Sequence, residues 1–248
     1  MADTTFPVSM PLGRPSMARP TVQAPVLTPG KVAMWLFLAT EVMFFTGLIG
    51  TYIVLRAGSP PGAYSNLFPP NTDLSKLSPR PADLVTTEWP RPYDHATNPL
   101  NVALTAGNTL ILIVSSVLMV LALRCFQRDN RRQGAAYLTL TALVGLLFLG
   151  VQVFEYYQLL VGHRFPIGVS ASGHFRPETS LFASCFFAMT GFHGLHVAVG
   201  IVALVALAIR AWFGAYSASN YHPVENVGLY WHFVDLVWSF LFAVVYLI

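Results

Sequence analysis

Six acidic or histidine residues of this 248-residue chain lie inside long apolar stretches, where their chemistry is out of place: Glu41, Glu155, His193, His196, His232 and Asp235. Glu41 sits about ten residues from the nearer end of the run Lys31 to Leu55. At ~1.5 Å rise per residue it would be roughly 15 Å deep, near the middle of a ~30 Å hydrocarbon core. An acid there is expensive and marks a functional position by default. Without a cationic neighbour it favours the neutral form, a hydrogen-bond donor. Two readings of it stay open, a proton-handling carboxyl and a structural helix-to-helix hydrogen bond.

The other groups come at helical spacings. His193 and His196 are i, i+3 and share a helix face. A metal would need ligands beyond two imidazoles, so the pair is read as hydrogen-bonding across to a helix that Gly191, Gly194 and Gly200 allow to come close. His232 and Asp235 are also i, i+3 and are expected to pair directly. Asp235 comes about as far along its stretch as Glu41, which suggests a shared polar layer. Glu155, about six residues from a span end and followed by Tyr156 and Tyr157, reads as an interfacial anchor. No stretch supplies the histidines that haems and copper require, and no Cys-rich copper pattern is present, so electron transfer by this chain itself is not expected.

The elements that carry these residues follow from composition. The chain is 54% hydrophobic and 10% charged, against roughly 25% charged for a soluble domain. Five helices long enough to cross a bilayer are expected at Val32 to Leu55, Asn101 to Arg124, Gly134 to Val161, Thr179 to Ile209 and Asn226 to Ile248. The fold class is therefore an all-α integral membrane bundle. Six of the 18 prolines precede Lys31, nine lie between Ala57 and Leu100, and none falls inside an expected span, as suits a residue that removes a helix donor. The net charge of +3 reflects a small Arg excess and gives no sign of nucleic-acid binding.

Arg124, Arg128, Arg131 and Arg132 cluster between the second and third spans, with Lys31 and Arg210 on the same side, so that side is expected to be cytoplasmic. The N-terminus would then be cytoplasmic and the C-terminus external. Residues 1–30 read as a Pro-rich extension without a signal-peptide pattern. Residues 57–100 form a long external loop ahead of the helical remainder of a 31–248 membrane domain. Its Tyr64, Phe68, Trp89 and Tyr93 would pack over the external face or dock on a partner. Cys125 and Cys185 have no metal or haem spacing and are expected to be buried thiols.

Four segments carry a resemblance. They are Trp35 to Phe45 (WLFLATEVMFF), Gln152 to Tyr157 (QVFEYY), Thr190 to Val197 (TGFHGLHV) and Tyr230 to Trp238 (YWHFVDLVW). In this order they resemble subunit III of the haem–copper cytochrome c oxidases, in the five-helix form that lacks two N-terminal helices. The resemblance implies a subunit of a proton-pumping respiratory terminal oxidase in a bacterial-type cytoplasmic membrane. Such a subunit binds no haem or copper, these residing in partner subunits, and it flanks subunit I, with subunit II in the same complex. It implies support of proton uptake, protection from inactivation during turnover, and phospholipid held between helices in a cleft that is here open or completed by another subunit. Glu41 matches the family's membrane-buried carboxyl. Trp35 and Glu155 fall at lipid-contact or helix-interface positions. The 57–100 loop exceeds the family's expected length and would make a lineage-specific contact. A related accessory protein of nitric oxide reductase is the alternative. A proton-coupled transporter using Glu41, Asp235 and His196 ranks lower, because no internal repeat or broken span pair is visible.

Overall fold

The computed structural model describes residues 28–58, 100–161, 177 and 181–247. Residues 1–27 of the Pro-rich extension, nearly all of the 57–100 loop and the basic residues Arg164 and Arg176 lie outside the described residues. Among the described residues, five long helices make up the chain: α1 (Pro29–Ala57), α2 (Val102–Gln127), α3 (Arg131–Val161), α4 (Leu181–Trp212) and α5 (His222–Phe242), the last running into a π-helical turn at Ala243–Leu247. Each of the five is long and apolar enough to cross a membrane.

Local chemistry sets the ends. α1 and α5 begin with a proline in the first turn, Pro29 and Pro223, where a missing N–H has no partner to lose. For that reason α1 starts at Pro29 and not Val32, and α5 starts at His222 and not Asn226 as hydropathy suggested. The side chain of Asn101 caps α2 by accepting from Leu104 N at 3.0 Å. The α2–α3 turn passes through Asp129 at φ 56°. Its carboxylate accepts from Arg131 Nε at 3.2 Å and from Ala218 N at 3.4 Å, tying the turn to the connection after α4. α4 stops where Gly214 takes a positive φ of 78° and Ala215 N closes back on Arg210 O.

α5 lies at the centre, against α2, α4 and α1, while α3 packs between α2 and α4. Half of the apolar window of α5 is buried, against 11% for α1, which touches only α5 and α4 to any extent. Trp231 of α5 organises the core. Its indole fits against two glycines on opposite helices, so close that a Cβ at Gly145 of α3 would meet Cη2 at 2.6 Å and one at Gly200 of α4 would meet Cε3 at 2.9 Å. Its Nε1 donates to Ser115 Oγ of α2 at 3.0 Å, satisfying the one polar atom of the ring. One side chain thus joins four helices.

Candidate functional site

α1 presents two faces. Leu38, Phe45 and Tyr52, seven residues apart, are its buried residues, and Glu41 falls on the same seam. That seam brings Glu41 to His196 of α4, a residue 155 positions away, with Oε2 3.0 Å from Nε2. Both side chains are mostly enclosed, at 18% and 16% exposure. The other ring nitrogen fixes the tautomer. Nδ1 of His196 lies 2.8 Å from the carbonyl of Phe192, and a carbonyl can only accept, so Nδ1 carries a proton. The bond between Nε2 and Oε2 then holds one further proton. Either a neutral carboxyl donates to the imidazole or an imidazolium donates to the carboxylate. Phe45 stands edge-on to the imidazole at 5.1 Å, and Tyr230 OH donates to the His196 carbonyl at 2.9 Å.

The remaining groups part company with the sequence-based expectations. His232 does not pair with Asp235: its Nδ1 is engaged by Ser116 Oγ of α2 at 2.5 Å, and neither oxygen of Asp235 has a hydrogen-bond partner. The cross-helix hydroxyl wins over the neighbour on the same helix. Ser116 was missed, although two adjacent serines in mid-span were a visible signal. His193 does not hydrogen-bond across helices. It is fully buried, stacked on Trp238 at 4.8 Å and edge-on to Phe148, with both ring nitrogens unpartnered. The glycine expectation fares better, since Gly194 abuts Gln152 and Gly200 abuts Trp231.

Glu155, expected as an interfacial anchor, is enclosed by neighbouring elements. It is 3% exposed, and its Oε1 accepts from Thr105 Oγ1 of α2 at 3.2 Å and from Tyr246 OH in the terminal π turn at 3.3 Å. Beside it Gln152 donates to the Thr190 carbonyl at 2.8 Å, and Tyr156 OH meets Thr190 Oγ1. Trp35 faces outward from α1 at 56% exposure. Cys125 and Cys185, expected as buried thiols, are free and half-buried. Among the described residues no group of three or more His, Cys, Asp or Glu is placed to hold a metal ion.

Five apolar helices whose ionisable groups meet at mid-span define a multi-pass membrane protein with a polar interior. The comparisons with known proteins give it a family. Residues 20–248 match the model for cytochrome c oxidase subunit III. The chain is 31% identical over 216 residues to cytochrome c oxidase subunit 3 of Alkalihalophilus pseudofirmus, covering 87% of this chain and 85% of that one. It is 32% identical to the Synechocystis sp. subunit 3, covering 86% and 73%. It is also 31% identical to cytochrome bo(3) ubiquinol oxidase subunit 3 of Pseudomonas aeruginosa, covering 86% and 82%. The chain belongs to the cytochrome c oxidase subunit III family and is subunit III of a terminal oxidase.

Proposed function

We propose that this chain is a non-redox subunit that flanks the catalytic subunit I, alongside subunit II, and helps keep that subunit supplied with protons. The haems and copper reside in the partner subunits. The Glu41–His196 pair carries this reading. It holds one proton between an acid and a base in mid-membrane, on the least enclosed helix of the bundle. A group that must exchange protons gains from such a position, because the two protonation arrangements of the pair differ by the transfer of a single shared proton. The exposed apolar flanks of α1, including Trp35, Met43 and Val54, suit contact with phospholipid tails or a partner helix. Gathering Lys31, Arg124, Arg128, Arg131, Arg132 and Arg210 at one end supports a cytoplasmic N-terminus and a bacterial-type cytoplasmic membrane.

The test is Glu41→Gln in the assembled oxidase. The amide keeps the shape and cannot hold the shared proton. Assembly and the initial oxygen-reduction rate should stay near those of the unmodified enzyme, while proton uptake falls or activity decays sooner during turnover. An unchanged turnover lifetime and proton uptake would confine the pair to a structural role.

A further inference from the structure

On the other side of α5 from the Glu41–His196 pair, three residues form a second constellation. Asp235 is 7% exposed with both carboxyl oxygens enclosed and unpartnered. One turn earlier on the same helix, His232 takes Ser116 Oγ at its Nδ1. His232 and Asp235 are i, i+3 on α5, so Ser116, bonded to His232, stands on the helix face that also carries the Asp235 carboxyl. What sets Ser116 apart is the use of its proton. The buried hydroxyls of Thr109, Ser115, Thr141 and Thr190 each donate to a carbonyl about one turn back on their own helix. Ser116 makes no such bond among the described residues, so its proton is available to the imidazole. His232 Nε2 has no described partner and is not among the enclosed unpartnered atoms, so the constellation is open at the imidazole.

We propose that Asp235, Ser116 and His232 form one proton-holding unit across the α2–α5 contact, closed at the acid and open at the imidazole. An enclosed carboxyl without a partner is neutral in hydrocarbon. A small rotation lets it donate to Ser116 Oγ, while the Ser116 hydroxyl donates to Nδ1 of His232, which keeps its own proton on Nε2. Release is balanced. As the Nε2 proton leaves outward, the Ser116 proton passes to Nδ1 and the Asp235 proton passes to Ser116 Oγ. The negative charge ends on an Asp235 carboxylate that now accepts from Ser116, and uptake is the reverse. Ser116 is the positioning residue of the unit.

Infrared spectroscopy of the full chain purified with its complex tests this without an activity readout. Asp235→Asn should remove a neutral-carboxyl C=O band. Ser116→Ala should move that band to higher frequency, because the acid loses its acceptor, and Ser116→Thr should restore it. Loss of no neutral band in Asp235→Asn overturns the unit, as does a band that stays in place in Ser116→Ala. Should Ser116→Ala fail to assemble, nitrogen-15 shifts of the unmodified protein, assigned with His232→Gln, decide the matter. A resting His232 protonated on Nε2 is expected, and one protonated on Nδ1 overturns the proposal.

Discussion

Around Trp231 the helices α2 to α5 meet through shape, whereas α1 meets the same bundle through one polar pair, an ion pair at its start and a single file of apolar side chains. In the core, Gly145 and Gly200 leave room that an indole fills. At the α1 seam the buried apolar residues are Leu38, Phe45 and Tyr52, with Glu41–His196 midway and Lys31–Glu225 at the start, Nζ 2.6 Å from Oε1. The difference separates what holds the protein together from what is left free to act. Lipid tails are as apolar as leucine, so membrane helices associate by close packing and by polar contacts. The core uses both, since Trp231 Nε1 on Ser115 and Gln152 on the Thr190 carbonyl add to the close packing, whereas the seam relies mainly on the second.

The largest effect should come from filling the indole slot. Gly145→Leu or Gly200→Leu has no space to occupy, and destabilisation of about 3 kcal/mol or outright failure to accumulate is expected, read by thermal unfolding in detergent and by membrane abundance. The same substitution on α1 is the contrast. A Cβ at Gly47 or Gly50 meets nothing within 4 Å, so Gly47→Leu in the isolated chain should change stability by no more than about 0.5 kcal/mol. Equal losses at the two places would erase the distinction between core and seam.

An intermediate effect is expected at the polar pair. Glu41→Ala leaves His196 Nε2 without its partner, at a cost of about 1–3 kcal/mol. Glu41→Gln, which keeps a hydrogen-bonding group there, should lose less, and denaturation of the two variants side by side gives the comparison. Among the polar contacts of the seam, the smaller effect belongs to Lys31→Ala. The ion pair with Glu225 is partly exposed, at 24% and 23%, so about 0.5 kcal/mol is expected, shrinking as salt is raised. A loss at Lys31 as large as at Glu41 would mean that the seam is held at its end and not at its middle.

Hydropathy made the five helices legible, and the prolines marked where they stop, apart from the first-turn prolines that α1 and α5 absorb. The site was legible in part. Depth singled out Glu41, but its partner lies 155 positions away on α4, and no local spacing reports such a contact. Spacing misled at His232, because i, i+3 proximity to Asp235 competes with a hydroxyl on a facing helix, and the facing hydroxyl lies closer. At Glu155 the neighbouring tyrosines suggested the membrane surface. Tyr246 and Thr105 instead enclose the acid, and that enclosure arises only when the end of α5 returns to the start of α2. His193 shows the opposite error, since an imidazole expected to bond across helices is held by ring stacking on Trp238.

The central claim is that Glu41 shares a proton with His196 at a site facing the membrane interior, and its reactivity tests this most directly. Carbodiimides react with the protonated acid, so the assembled complex is treated in parallel with a membrane-permeable and a water-soluble reagent, and modified Glu41 is counted by mass spectrometry. Faster labelling by the permeable reagent is expected, with the reaction lost in Glu41→Gln. Preferential labelling by the water-soluble reagent would place Glu41 in contact with bulk water and contradict the account.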